Sequence, residues 1–437
     1  MFFLRLFCTG LCFGLVFPVW TSVLAKPPTA TKKEVVVSKT TSTPDDRASL
    51  KAFIELIWAD SPAVLERQAQ FEAAQARADG ADKPLHNPVL ALDTEQTDIN
   101  TSFVDYSQTL DWSNKRGART QVATQQVKTA LADLMQSRQL TAIEALNALS
   151  LYYTARDMRK LTLRGSELMK GFKDTMDQRQ TAGDVRALDI TLAQLAYSEA
   201  LMRLAASESA MAEAKAAVQA VSDINDAQWP PLPNKLAAPP KYTDEKLLDA
   251  LPELVVLRSR LAAAKARINI AKSERRIDPT FALRAGREDT ENLFGLSVEF
   301  PLFIRNNFSA EVVATSQDAI AMEQSYRNAY RRAKARMSGA LGRFQNTHQA
   351  WRTWVAGGQQ AYRKQHDLLQ QMWQAGELSA TDFLIQAKQN IDTQSAATAL
   401  QSEFWQAKIA WLAASGQVET WLGLENLGNE TNSGESK

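Results

Sequence analysis

Cysteine is nearly absent from this chain of 437 residues, and its two copies, Cys8 and Cys12, lie close to the amino terminus. The remainder therefore contains no disulfide and no thiolate metal ligand, and it tolerates an oxidising compartment. Histidine is also scarce, and the three copies show no metal-ligand spacing. We expect neither a metal site nor a bound cofactor.

Glycine is sparse and scattered, with 18 copies, and it forms neither a phosphate-binding loop nor a dinucleotide-binding pattern. The sequence also lacks a Ser-His-Asp arrangement, and its many helical carboxylates are most simply solvated faces. We therefore predict that the protein is not an enzyme. Charge is balanced, with 50 Lys and Arg against 49 Asp and Glu, so no nucleic-acid partner is expected.

The amino terminus has the pattern of a secretory signal peptide. Arg5 precedes an apolar run, 6–20, which is followed by a small-residue exit that ends at Ala25. The run contains Pro18 and is too short for a comfortable helical membrane span. We expect cleavage after Ala25 and export beyond the inner membrane.

The rest of the sequence repeats one plan of helix, two strands, long helix and helix. Asn87-Pro88 opens the strands of the first copy, and Asp278-Pro279 opens those of the second. The joints between the long and returning helices also match, at Gly183 and Gly376. The predicted domains are a signal peptide 1–25, a disordered extension 26–46, a first repeat 47–224, a proline-rich linker 225–244, a second repeat 245–423 and a flexible tail 424–437.

Four short runs are predicted to be strands, and the last three of them alternate apolar and polar residues, which is typical of strands with one apolar face. The predicted strands are Val89–Thr94, Phe103–Trp112, Thr280–Arg287 and Leu293–Phe300. We expect polar loops at Thr97–Ser102 and Arg287–Asn292, facing outside. Each run is long enough to cross an outer membrane when tilted.

The predicted helix 309–374 would be about 100 Å long and needs neighbours along its length. Its stripe residues alternate four and three apart, which is the period of supercoiled helices. The stripe comprises Met337, Leu341, Phe344, His348, Trp351, Val355, Gly358, Tyr362, Gln365, Leu369 and Met372. On its own this pattern fits an ordinary soluble coiled coil equally well, and the strands favour a membrane protein instead.

Four strands cannot close a barrel, and open sheet edges are not tolerated in lipid. The simplest solution is a homotrimer with one shared barrel of twelve strands, four from each protomer. The predicted fold is therefore mainly α with a membrane β-barrel portion, continued by a long α-helical coiled-coil barrel.

The order of these features resembles the TolC-like outer membrane factor family from about Asp46 to Leu424. The resemblance implies an outer-membrane channel of a Gram-negative bacterium with a large periplasmic portion, which contacts outer-membrane lipid. It also implies a passive exit duct that works with a periplasmic adaptor (membrane fusion protein) and an inner-membrane RND-type transporter. The junctions 112–116 and 301–307 look like those of the CzcC-like branch, which implies heavy-metal cations as the cargo.

The resemblance also suggests a gate where the helices turn back at the periplasmic end. The candidate gate residues are Asp382, Asp189, Trp373, Glu377 and Asp184. Three copies of an acidic residue would attract cations into a narrow tube. Helix capping is the alternative for Asp382, because Ser379 precedes it by three residues. The family often has a Tyr–Arg lock here, but the matching positions hold Trp373 and Leu378, so either a hydrophobic constriction or simple helix-end packing replaces it.

Two other functions fit an exported helical chain. A periplasmic adaptor or scaffold protein would also have a signal peptide and a helical hairpin, although adaptors need more strands than this chain offers. Within the channel class, drug efflux and type I secretion are alternatives to metal export.

Overall fold

A computed structural model describes residues 46–98, 100–183, 185–233 and 237–424. The predicted signal peptide 1–25, the extension up to residue 45, the tail after Leu424 and the candidate gate residue Asp184 lie outside the described residues. Asp46, assigned to the extension, is the first residue of a helix.

Helices and strands follow the same order twice along the described chain. The first half comprises α1 (Asp46–Asp60), α2 (Pro62–Ala81), β1 (Val89–Gln96), β2 (Asn100–Thr109), α3 (Lys115–Thr181) and α4 (Ala187–Val221). The second half comprises α5 (Lys246–Asp249), α6 (Pro252–Glu274), β3 (Thr280–Glu288), β4 (Glu291–Glu299), α7 (Ser309–Thr353), α8 (Gln359–Gln374), α9 (Ala380–Ser415) and α10 (Val418–Leu422).

Proline divides two helices that the sequence predicted as continuous. Pro62 occupies the first turn of α2, and Pro252 occupies the first turn of α6. Proline has no amide hydrogen and its ring collides with the preceding helical turn, so it begins a helix more readily than it continues one. The single helix that the predicted plan places at the start of each repeat is therefore two helices, α1 and α2 in the first repeat and α5 and α6 in the second.

The longest helix, α3, has 67 residues and extends about 100 Å. It begins after Asn114, whose backbone is left-handed with a φ of 55° and whose side chain accepts a hydrogen bond from the Gly117 amide. It ends before Gly183, which has a φ of 78°. Side chains of α2, α4, α6 and α9 pack along its length.

The four strands form one antiparallel sheet in the order β1-β2-β3-β4. Both predicted loops are too long, because Asn100–Ser102 belong to β2 and the β3–β4 turn contains only Asp289 and Thr290. The Asp289 amide donates to the Asn100 carbonyl over 2.9 Å, which brings the two hairpin turns to the same end of the sheet. Backbone hydrogen bonds between the strands continue beyond the residues that alternate in polarity. A prediction from polarity alone therefore placed these strand ends wrongly.

One face of the sheet is apolar and exposed in the single chain. Leu90, Tyr106, Leu283 and Leu296 align in one cross-strand row, and Leu92, Val104, Ala285 and Phe294 align in the next. Leu92 is 76% exposed and Phe294 is 85% exposed. We call this side the apolar face; nothing in the described chain covers it.

The opposite side, which we call the polar face, contains a charged cluster. The Arg284 guanidinium lies 3.2 Å from the Asp105 carboxylate and 3.6 Å from that of Asp93. It also lies 4.0 Å from the centroid of the Phe103 ring. That ring crosses Gly286 so closely that a side chain at Gly286 would overlap it.

A buried ion pair joins the sheet to the helices. The Asp278 carboxylate, two residues before β3, accepts from the Ser113 amide over 3.1 Å and from the Ser113 hydroxyl, and it lies 2.7 Å from Lys115 Nζ at the start of α3. Burial by itself raises the pKa of Asp278, but these hydrogen bonds and the Lys115 charge outweigh it, and the pKa is lowered. The second copy is thereby tied to the first at the sheet–helix junction.

The predicted stripe on helix 309–374 is buried only in parts. Met337, Leu341 and Phe344 are buried, whereas Val355 is 51% exposed. A π-helical turn at Trp354–Gly358 separates α7 from α8. The extra residue in such a turn rotates the helix that follows it, and the stripe is exposed at Val355 and buried again at Leu369.

Lys408 on α9 is the most deeply placed cation of the helical region. It is 6% exposed, and its Nζ lies 5.1 Å from the centroid of Phe344 and 5.8 Å from that of Trp421. Burial, assisted by the charge of Arg47, lowers its pKa to about 8. No helix in the described part of the chain is both long and apolar enough to cross a membrane.

Candidate functional site

The two joints between long and returning helices are built alike. Gly183 and Gly376 have φ values of 78° and 76°, a left-handed conformation that favours glycine. At the second joint the Glu377 amide donates to the Met372 carbonyl, and the Gly376 amide donates to the Trp373 carbonyl. These bonds satisfy the last carbonyls of α8 and reverse the chain.

Side chains near the two joints pack into one apolar cluster. It joins Met169, Phe172 and Met176 of α3 to Phe383 and Ala387 of α9. Ala193 and Ala196 of α4 and Leu369 of α8 complete its buried part. Both copies of the repeat therefore end at the same place, which we call the joint region.

Trp373, a candidate constriction residue, packs within the joint region. Its ring stacks on Phe383, with centroids 4.2 Å apart, and lies 5.7 Å from Phe172. The Arg179 guanidinium lies 5.4 Å from its centroid. In the single chain Trp373 therefore holds α8, α9 and α3 together.

Asp382 occupies the third position of α9, within a capping arrangement. The Ser379 hydroxyl accepts from the Asp382 amide over 3.1 Å and donates to the Asp382 carboxylate over 2.6 Å. The side chain is exposed, and within the part of the chain that the structure describes no cationic side chain pairs with it. Capping leaves the second carboxylate oxygen and the full charge directed to solvent.

Asp189 holds the corresponding position of α4 but is differently placed. It is 8% exposed, and Arg186 Nε donates to its carboxylate over 3.0 Å. The arginine offsets much of its charge. Glu377 is exposed at the joint itself, whereas Asp184 lies outside the described residues. The described candidates thus lie together at the joint region, and Asp382 is the better exposed of the two returning-helix acids.

An ion network between α4 and α9 was not anticipated from the sequence. Glu199 accepts from both Lys388 and Arg203, and Arg203 also donates to Asp392 over 2.7 Å. The hydrogen bond from Lys388 is the largest cause that lowers the pKa of Glu199. The four-residue spacings of Glu199 with Arg203 and of Lys388 with Asp392 were a visible signal, but their partner helices were not.

Comparison with solved structures gives a consistent result. The chain superposes on the outer-membrane channel OprN with a TM-score of 0.72 and 16% identity, over 84% of this chain and 90% of that one. For the CmeC outer membrane channel of Campylobacter jejuni the TM-score is 0.72 at 13% identity, over 89% of each chain. For the outer membrane protein VceC of Vibrio cholerae it is 0.68 at 16% identity, over 84% of this chain and 96% of that one.

The chain has the fold of the TolC-like outer-membrane channels. No family model matches its sequence, and no curated protein matches it. The prediction of a mainly α-helical fold is confirmed: the described chain is mostly helical and contains one antiparallel sheet. The three solved structures named above are outer-membrane channels or outer membrane proteins.

Proposed function

We propose that the protein is a homotrimeric outer-membrane channel, the passive exit duct of a tripartite efflux system. Each protomer contributes four strands to a twelve-stranded barrel, and the helices continue it as a tube into the periplasm. The substrate arrives from an inner-membrane RND-type transporter through a periplasmic adaptor.

The apolar face of the sheet is the observation that carries this proposal. Leu296 is 83% exposed and Phe294 is 85% exposed in the single chain, and on β1 Leu90 and Leu92 are 65% and 76% exposed. Such a patch is costly in water and is stable against lipid. The polar face, with the Arg284 cluster, suits a water-filled interior. An adaptor or scaffold has no need of such a sheet.

The helical part suits a tube that conducts rather than an enclosed site. Its apolar residues form three separate clusters along the helices, instead of one central core. The joint region lies at the far end of α3 from the sheet, about 100 Å away. On the proposed topology this end faces the adaptor and the transporter, and three copies of Asp382 encircle the entrance.

For the cargo we propose heavy-metal cations, on the resemblance of the junctions 112–116 and 301–307 and on the exposed charge of Asp382. Drug efflux and type I secretion are the competing cargoes. A deletion strain challenged with zinc, cobalt, cadmium, copper and a panel of dyes separates them. Sensitivity to the metals alone supports the proposal, and sensitivity to dyes alone replaces it.

Purification provides the direct test of the channel. We expect the mature protein to require detergent, to have the mass of three protomers after correction for bound detergent, and to conduct ions in planar bilayers. A soluble monomer that gives no conductance would refute the channel. Disruption of the apolar face with Leu296→Lys and Phe294→Lys should abolish membrane insertion, whereas exchange of the exposed Tyr242→Lys in the linker should not.

A further inference from the structure

Both outer strands of the sheet have an unpaired edge. β1 pairs only with β2, and β4 pairs only with β3, among the described residues. The strands alternate in direction, so β4 of one protomer would run antiparallel to β1 of another. Unpaired backbone groups at both edges need a partner in lipid, and a second copy of this chain supplies both.

The internal repeat contains a template for that missing contact. β1 follows Pro88 and β3 follows Pro279, so Val89 corresponds to Thr280. Val89 pairs with Ser107, and Thr280 pairs with Glu299, so Ser107 corresponds to Glu299. The contact between β2 and β3 is thus the contact between one repeat and the next. In a closed barrel, β4 would contact the β1 of a second copy in the way that β2 contacts β3.

Within the protomer, Ser107 of β2 pairs with Ala282 of β3, and Ala282 corresponds to Ala91 by the same alignment. We infer that Glu299 of one protomer pairs with Ala91 of the next, and that Ser297 pairs with Asp93 and Gly295 with Glu95. This inference rests on the proposed trimeric barrel and specifies the register in which it closes.

The register satisfies the geometry of a closed barrel. Within one protomer a row of directly paired residues runs from Val89 of β1 to Ser297 of β4. In the inferred register Ser297 pairs with Asp93 of the next protomer, which lies four residues beyond Val89 along β1. Four strands therefore advance the row by four residues. With about 3.3 Å per residue and about 4.8 Å between strands, this stagger tilts the strands by roughly 35°, as barrels of this kind require.

The register also satisfies the chemistry of both faces. Ala91, Asp93 and Glu95 lie on the polar face, as do Glu299, Ser297 and Gly295. On the apolar side Leu92 meets Val298. A one-residue slip would turn polar side chains to lipid. An unstaggered pairing of Val89 with Ser297 would leave the strands untilted and set Glu95 opposite Glu291.

A register displaced by two residues leaves every side chain on the same face of the sheet. An experiment must therefore distinguish such registers from the inferred one. Ser297→Cys is combined with Asp93→Cys, with Ala91→Cys or with Glu95→Cys, in mature protein purified as the detergent-solubilised trimer. The two cysteines of one protomer lie on opposite edges of its sheet, so a disulfide forms only between protomers. Cys8 and Cys12 lie in the predicted signal peptide and leave a cysteine-free background.

Oxidation with copper phenanthroline, followed by denaturing electrophoresis, measures covalent dimer and trimer. The Asp93–Ser297 combination should cross-link about tenfold faster than either displaced one, because only directly opposed strand residues meet the distance limits of a disulfide. Each cysteine alone is the control.

The possible outcomes are distinct. Faster cross-linking of a displaced combination overturns the inferred register and leaves the trimeric channel standing. A trimer in which no combination cross-links overturns the strand-edge contact itself. A protein that is monomeric before oxidation refutes the proposed function.

Discussion

The indole of Trp373 stacks on the ring of Phe383, with centroids 4.2 Å apart and planes inclined by 23°. The contact joins the end of α8 to the beginning of α9 across the Gly376 joint. Because Phe383 is also 3% exposed, it anchors the apolar cluster of the joint region.

Phe383→Ala should destabilise the joint region by about 3 kcal/mol, through lost burial and a cavity beside Phe172 and Trp373. Hydrogen exchange of amides in α8 and the start of α9 measures the local effect. Thr381→Ala, an exposed change in the same turn, is the matched control. Equal exchange rates in the two variants would contradict an anchoring role for Phe383.

Asp278→Ala should lower the free energy of unfolding by about 3 kcal/mol at neutral pH, because it leaves the partly buried Lys115 without its carboxylate partner. The folded-state pKa of Asp278 is lowered, so its stabilisation is present above the ordinary carboxyl pKa of 3.8 and is lost as pH falls through the folded value. Denaturation of wild type and variant should therefore converge in strong acid. A difference that persists unchanged there would indicate a packing defect instead.

Lys408→Met should stabilise the protein at pH 7 by about 2 kcal/mol, since a charged group in an apolar site is replaced by a side chain of similar shape. The pKa of Lys408 is lowered from 10.5 to about 8. Between these values the folded state binds fewer protons than the unfolded state, so wild-type stability contains a component that rises with pH. The advantage of the variant should shrink from pH 8 to pH 10; a constant advantage would mean that Lys408 does not titrate in this range.

Asp382→Asn should lower single-channel conductance at low salt by about twofold and weaken block by divalent cations, with less effect at high salt where charges are screened. Asp189→Asn should act less, because Arg186 already offsets that charge. Asp60→Asn, an exposed acid at the end of α1, is the control. Unchanged conductance and block in Asp382→Asn would remove it from the gate.

The strands illustrate what the sequence could predict. The alternation around Leu283 and Leu296 placed both on one face, and the registers agree. The predicted start of the second strand was wrong, because Asn100–Ser102 also belong to it. Backbone hydrogen bonds extend the hairpin beyond the residues that alternate in polarity. Backbone pairing depends on both strands of a hairpin, whereas the alternation of apolar and polar residues can be read from one strand alone.

The helices, like the strands, have some features that the sequence predicted and others that it did not. Length and the Gly183 and Gly376 joints were visible in the sequence, because glycine is favoured where φ is positive. The π turn at Trp354–Gly358 was not predicted. At the joint region Asp382 was proposed from the family resemblance, but the Arg186 partner that distinguishes Asp189 was not foreseen.

The two hairpin turns of the sheet are very short, three residues between β1 and β2 and two between β3 and β4. On the proposed topology these are the turns of the described chain that face the surroundings of the cell. A trimer would present six of them around its opening, so a bacteriophage or an antibody would have very little described loop to bind. Short turns on that side would therefore limit recognition of the channel from outside the cell.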